Sequence, residues 1–480
     1  MSPCPAIATD LHADTRGLQW VVDGYNLTFT ALVLAAGSLA DRYGRRPALM
    51  IGLLGFAVTS VVGALANSTG ALVAARFSMG VFAALIFPTT LSIITHTFAD
   101  RRQRATALGG WGAVVGAGVA AGPVTGGLLL EHFSWGSVFW ALVPLALLAA
   151  VLTFFLVPES RDPGVPALDI QGLTISIALL GVLVYTIIEA PARGWNSTGT
   201  LLGFAATAAL VPAFVMVEQA ADHPMLDVRL FTDRRFSAAS ASVTITFFSL
   251  SGFIFLITQY FQVLRGFNPL ATGVRILPVA LSIAAGSGVG GLLAPRIGTR
   301  AVVISGLASF GTAMAWIAGS IDTDTPYWTT IVAQMLLMGL GIGLISTPAT
   351  ESIMLVLPPA RAGIGSAVND ATRELGSTLG VAIVGSLFSS VFGVHLADSA
   401  FAATQMSGAA AGSVQIAFGV AANNPQFLAA AQHSFLAGLT AACTMIAGLC
   451  YVAAAAGIVA LPGRRFQPPL STAADALDTV

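Results

Sequence analysis

Gly37-Ser-Leu-Ala-Asp41-Arg42-Tyr-Gly44-Arg45-Arg46-Pro47 lies between two long apolar runs, at 18–40 and 47–66. At a rise of about 1.5 Å per residue, either run is long enough to cross a bilayer. The stretch therefore reads as a short charged hinge between two membrane helices, with three arginines on one membrane face. Arginine-rich short loops mark the cytoplasmic side, so the helix before the hinge is expected to run from outside to inside.

Only 9% of the 480 residues are charged while 56% are hydrophobic. Soluble domains carry about 25% charged residues, so the chain reads as an all-α polytopic membrane protein. Its net charge of -1 excludes a strongly basic nucleic-acid binder. Cys4, Cys443 and Cys450 suggest neither a disulfide framework nor a metal site. The sequence holds no nucleotide-binding loop, metal cluster or nucleophile triad, so ATP-driven transport and membrane enzymology are not expected. No metal and no cofactor are anticipated.

Apolar segments recur at 18–40, 47–66, 70–95, 105–130, 135–157, 171–191, 198–217, 236–264, 269–294, 301–320, 327–357, 361–394 and 435–461, which makes thirteen spans. Alternating the loops from Arg42 onward puts fifteen arginines on one side and three on the other. The segment before 18 is too short, and too broken by proline, to cross a membrane or serve as a signal peptide. Either the chain starts outside or a first helix has been lost.

The hinge repeats. Gly37-x3-Asp41-Arg42-x-Gly44-x-Arg46 aligns with Gly291-x3-Pro295-Arg296-x-Gly298-x-Arg300, the acid giving way to Pro295. Pro88-Thr-Thr-Leu-Ser-Ile93 aligns with Pro348-Ala-Thr-Glu-Ser-Ile353 in the same order. Internal duplication of this kind is common in membrane transporters. It divides the chain into a bundle at 1–157, two extra spans with a connector at 158–235, a second bundle at 236–461 and a tail at 462–480.

With these motifs the sequence resembles the major facilitator superfamily, and more narrowly its fourteen-span drug:proton antiporters of the quaternary-ammonium-resistance type. The hinge is similar to the superfamily's loop signature. Gly118-Val-Ala-Ala-Gly122-Pro123-Val-Thr-Gly126-Gly127 resembles the antiporter signature of the fifth helix, and Leu72-x3-Arg76-x3-Gly80 the fourth-helix signature, with Met79 in place of a polar amide. Trp20-Val-Val-Asp23-Gly-Tyr25 and Ala367-Val-Asn-Asp370-Ala-Thr-Arg373-Glu374-Leu-Gly376 look like the fourteen-span branch. The family's first helix, with its acid, is absent here apart from a likeness at 5–11. The resemblance implies two pseudo-symmetric six-helix bundles, the first lacking most of its first helix, plus two linker spans. It implies proton-coupled export of lipophilic, often cationic compounds by alternating access from a bacterial cell membrane. It also implies a monomer whose partners are small amphiphiles and the bilayer.

The resemblance gives the hinge residues Gly37, Asp41, Arg42, Gly44, Arg45 and Arg46 the role of a cytoplasmic lock, in which Asp41 looks toward nearby arginines and toward the helix beginning near Arg361. Asp41 sits at a helix C-terminus, where the dipole disfavours it, so something must hold it. Gly118, Gly122, Gly126 and Gly127 would leave one helix face open to a neighbouring backbone, and Pro123 permits a kink; the resemblance adds that this contact closes the outer side. Charged groups inside a bilayer are costly, which singles out Asp23, Arg76, Asp370, Arg373 and Glu374 for proton coupling. Asp370, Arg373 and Glu374 share a helix face at spacings that allow charge exchange. Asp23 stands near the outer end of its helix, as a rim acid or an outward-opening site. Arg76 either snorkels to headgroups or holds a carboxylate. Tyr25, Phe29, Trp111, Phe247 and Phe248 are candidates for an apolar cavity. Glu189 and Glu218 read as boundary residues, and 395–433 as an outer loop that folds over the entrance. Export of a lipid or self-made antibiotic, and a non-transporting receptor or scaffold, are the competing readings.

Overall fold

Many of the helices begin where a short polar side chain takes up free amides of the first turn. Asp14 accepts from Gly17, Ser68 from Ala71, Asp169 from Gly172 and Ser197 from Thr200. Asn268 accepts from Ala271 and is followed by Pro269, which has no amide to leave unbonded there. In a computed structural model of the chain these caps open α2 (Thr15–Tyr43), α4 (Thr69–Thr97), α7 (Ile170–Arg193), α8 (Thr198–Ala220) and α10 (Pro269–Ile297). The other helices are α1 (Cys4–Asp10), α3 (Arg45–Ala64), α5 (Arg101–His132), α6 (Gly136–Leu156), α9 (Arg234–Gln259), α11 (Thr299–Ser320), α12 (Val332–Leu355), α13 (Ala362–Ala397), α14 (Val414–Ala421) and α15 (Pro425–Ala460). The structure describes residues 4–98, 100–162, 168–355, 362–399, 413–421 and 424–461, without the side chains at 4, at part of 101–120, at 355 and at 362–367.

Eleven helices among the described residues are long and apolar enough to cross a membrane, which makes the chain a helical multi-pass membrane protein. Two of the thirteen expected spans are not among them. α2 is 29 residues long but carries Gln19, Asp23 and Asn26, a polar content that suits a helix enclosed by neighbours. α5, 32 residues long, takes the place of the span expected at 105–130.

α2, α3, α4 and α6 pack on one another, and α9 to α13 pack together with α15. Among the described residues, the main contacts between these groups are α5, which touches α4 and α6, against α10, and α2 against α13. α7 pairs with α8 and lies against both α2 and α13, so the first of the extra spans sits on the seam. The second group holds most of the large buried rings, among them Phe310, Phe388, Phe392 and Phe435.

The internal repeat is visible in backbone geometry. Gly44 and Gly298 each end one helix and open the next with positive φ, +130° and +94°, and each amide caps the alanine carbonyl four residues back. Gly37 faces Pro88 as Gly291 faces Thr347, next to Pro348. Of the loop expected at 395–433, residues 395–399, 413–421 and 424–433 are described: the end of α13, α14 and the first turns of α15. The stretches 400–412 and 422–423 lie outside the described residues.

Candidate functional site

The hinge is a bonded unit. α2 ends at Tyr43 and α3 begins at Arg45, so Gly44 alone makes the turn, and a Cβ there would meet the Glu159 carboxylate at 2.8 Å. The dipole cost at Asp41 is offset by Arg45, whose Nε lies 2.7 Å from Oδ1. The Ser92 hydroxyl of α4 donates to the same oxygen. Backbone bonds from Asp162 to the Asp41 carbonyl (2.8 Å) and from Arg45 to the Ser160 carbonyl (2.9 Å) tie in the segment after α6. Arg46 donates to the Phe154 carbonyl at 2.6 Å and lies over its ring. Arg42 lies over Tyr43. The residues expected to form a lock are thus together, in contacts within the first group of helices; the partner expected near Arg361 lies outside the described residues.

The second hinge lacks this unit. Ser352 occupies the place of Ser92, and with Pro295 where the acid would stand, its hydroxyl turns back to the Pro348 carbonyl at 2.8 Å. The asymmetry that the sequence implies is therefore also an asymmetry of bonding.

Asp23 is 0% exposed, and neither carboxylate oxygen has a hydrogen-bond partner among the described residues. This corrects the expectation of a water-facing acid at the rim: α4, α7 and α13 all pack on α2 and enclose it. Arg76 turns inward rather than to the headgroups, donating from Nε to the Val21 carbonyl at 2.8 Å and lying 4.4 Å from the Tyr25 ring centroid. Arg76 and Glu374 both act electrostatically on the Tyr25 hydroxyl, which brings α2, α4 and α13 to one place. Arg373 lies near enough to Asp370 and Glu374 for all three charges to act on one another, as their spacing implies. It donates to Thr350 of α12 at 3.2 Å and lies over Phe247, and Thr350 in turn donates to Asn369 at 3.1 Å. Among the described residues no ion pair joins Arg373 to Asp370 or Glu374. Besides the carboxylates of its own helix, a hydroxyl and a ring on neighbouring helices hold the guanidinium.

The contacts between the groups gather toward the ends away from the arginine-rich hinge. A Cβ on Gly127 would meet the Pro269 carbonyl oxygen at 2.6 Å, and one on Gly273 would strike the Pro123 carbonyl. Glu131 accepts from Asn268 at 3.1 Å just beyond. Gln19 of α2 donates to the carbonyls of Val381 (3.2 Å) and Ala382 (3.0 Å) of α13. The four-glycine face expected on α5 is only partly a contact: Gly127 and Pro123 touch α10, whereas a Cβ on Gly118, Gly122 or Gly126 meets nothing within 4 Å among the described residues.

The Major Facilitator Superfamily model matches residues 1–381. The chain belongs to the major facilitator superfamily. This superfamily member is 35% identical over 467 residues to the multidrug efflux pump LfrA of Mycolicibacterium smegmatis, covering 96% of this chain and 92% of that one. It is 32% identical over 478 residues to the tetracenomycin C resistance and export protein of Streptomyces glaucescens, covering 97% and 88%. It is 32% identical over 440 residues to the methyl viologen resistance protein SmvA of Salmonella typhimurium, covering 90% and 88%. Among solved structures it is similar to a bacterial homologue of the human lysosomal transporter Spinster, with a TM-score of 0.65 over 97% of this chain and 94% of that one. The 17% identity of that pair shows the fold alone.

In this superfamily member the expected aromatic residues divide. Tyr25, Phe29 and Trp111 form a ladder through Phe87, with centroid spacings of 6.1, 6.1 and 5.3 Å, and Trp111 donates to Thr90 at 3.3 Å. Phe247 lies under Arg373, while Phe248 is core. Phe87 and Thr350 escaped the sequence reading. Each lies within two residues of a repeated proline, Pro88 or Pro348, and that repeat was the available signal. Glu218 stands in the last turn of α8, at the boundary expected of it, and is buried there, accepting from the Leu226 amide at 3.0 Å.

Proposed function

We propose that the chain is a proton-driven exporter of lipophilic, often cationic compounds that works by alternating access in a bacterial cell membrane. In this reading the arginine-rich face is cytoplasmic, 1–157 and 236–461 are the rocking bundles with 158–235 between them and 462–480 as a tail, no cofactor is needed, and the monomer is the working unit. Likeness to LfrA, a multidrug efflux pump, and to SmvA, a methyl viologen resistance protein, supports the substrate class. The observation that carries the coupling is Asp23: a buried carboxyl group on a membrane helix, with no hydrogen-bond partner among the described residues, two residues from Tyr25, whose ring lies against Arg76. Uncompensated charge at that depth is costly, and either a proton or a cationic substrate relieves it. Exchange of one for the other shifts the balance between inward- and outward-open states. Asp370 and Glu374 are the other carboxyls in this account.

Drug-driven proton release from everted vesicles tests the proposal. Glu374→Gln, Asp370→Asn and Asp23→Asn are expected to reduce coupled exchange at least tenfold in one or more cases, with normal amounts of protein in the membrane. Unchanged exchange in all three sinks it. Likeness to the tetracenomycin C exporter favours one second reading, export of a self-made antibiotic. A panel of aromatic antibiotics beside quaternary ammonium compounds separates the two.

A further inference from the structure

We infer that the crevice between α2, α4 and the extra pair α7–α8 binds one phospholipid from the leaflet at the arginine-poor face, with an acyl chain inside and the headgroup on the Arg16–Glu189–Arg193 cluster. The crevice has a volume of about 710 Å³, within the range of roughly 300–1,000 Å³ of small-molecule sites. Its walls include Trp20, Leu27 and Ala31 of α2, Phe77 of α4, and Ile177 and Tyr185 of α7. Ile177 and Tyr185 are half-exposed, so the crevice faces the bilayer rather than the protein core. An apolar space there forfeits dispersion contacts if empty, and acyl chains are the matter at hand to fill it.

The glycines show that the space is not left over from tight helix packing. Gly203 of α8 is pressed against Thr186 of α7, but Gly181 and Gly199, which also line the crevice, have nothing within 4 Å of where a Cβ would stand. These two positions border open room that a larger residue would fill.

The mouth decides the headgroup. Glu189 lies 3.3 Å from Arg16 and 3.8 Å from Arg193, and accepts from the Trp20 indole at 3.4 Å. Arg16 also pairs with Asp14 at 2.8 Å. Two cations thus alternate with two anions. A simple organic cation would find Glu189 already held between two guanidinium groups. A zwitterionic headgroup finds both signs: phosphate for the arginines, ammonium for the carboxylates. Arg193, with 46% of its side chain exposed, donates to the Tyr185 hydroxyl, lies over that ring and keeps a 3.8 Å contact to Glu189; the five donors of a guanidinium leave others for the phosphate.

The test uses the full chain in vesicles of phosphatidylethanolamine carrying a photoactivatable acyl chain, with native mass spectrometry of the detergent-purified protein alongside. The expected result is one retained phospholipid and cross-links concentrated on α2 and α7. Gly181→Phe, which fills the crevice, should lower retention and those cross-links at least fivefold while helical content and the thermal transition persist. Arg193→Ala, at an exposed position, should lower cross-linking severalfold and keeps the test alive if the first variant fails to fold. Retention unchanged by the variants that fold, or cross-links spread evenly over α3 and α6, overturns the inference. So does competitive displacement of the lipid from α2 and α7 by tetraphenylphosphonium, which would make the crevice a drug site.

Discussion

Gly44 makes the α2–α3 turn alone because it needs only a φ of +130° and no room for a side chain. Gly44→Ala meets both the backbone strain and the Glu159 carboxylate, and should destabilise by about 1–3 kcal/mol. Gly194→Ala, at φ +91° with open space around it, carries the backbone cost only and should lose less. Thermal unfolding in detergent compares the two, and equal losses would mean that the Glu159 contact contributes nothing. Asp41 poses a charge problem. Asp41→Asn leaves the buried Arg45 guanidinium without its anion, which should cost about 1–3 kcal/mol. Ser92→Ala removes a hydroxyl but keeps the pair, and should cost about 1 kcal/mol. If Ser92→Ala is the worse of the two in the same assay, the ion pair does not hold the hinge.

At the scale of helices, α5 and α10 meet at their arginine-poor ends, where Gly127 and Gly273 bring two backbones together. Gly127→Leu should wedge them apart, whereas Gly118→Ala and Gly122→Ala, with nothing beside them among the described residues, should behave like the parent. Replacing Glu131 and Asn268, now hydrogen-bonded at 3.1 Å, with cysteines in a background without the native ones gives the readout. The new pair should form a disulfide readily in the parent and severalfold less in Gly127→Leu. Equal disulfide yields would show that the glycine is not what holds the helices together. α2 has the opposite character: it is long and polar, and its neighbours on three sides make that polarity tolerable in a membrane.

At the scale of the molecule, two groups of helices meet along α2–α13 and α5–α10, and rocking about those seams should move the two faces in opposite senses. Spin labels at Tyr43 and Ile297, exposed residues at the arginine-rich ends of α2 and α10, report one face; labels at Glu131 and Asn268 report the other. Substrate or a change of pH should lengthen one distance while shortening the other. Distances that change together would count against rigid-body exchange. The two halves do not contribute equally, because only the first hinge has the acid that captures its serine.

The sequence by itself determined the helical membrane class, nearly all the span limits, the arginine-rich face, the repeat and the hinge. Each of these is written locally, in segment hydropathy, in a turn only glycine can make, or in a motif that recurs in order. Tertiary structure alone decided that Asp23 is enclosed, that Arg373 also bonds Thr350 of α12, that one of four glycines makes the close approach to α10, and that α7 lies on the seam and leaves a crevice beside α2. Hydropathy tells how favourably a segment enters the bilayer, but not how it is rotated about its axis or which helix stands beside it. Those follow from packing all the helices together, so the environment of each intramembrane charge is a property of the assembled bundle.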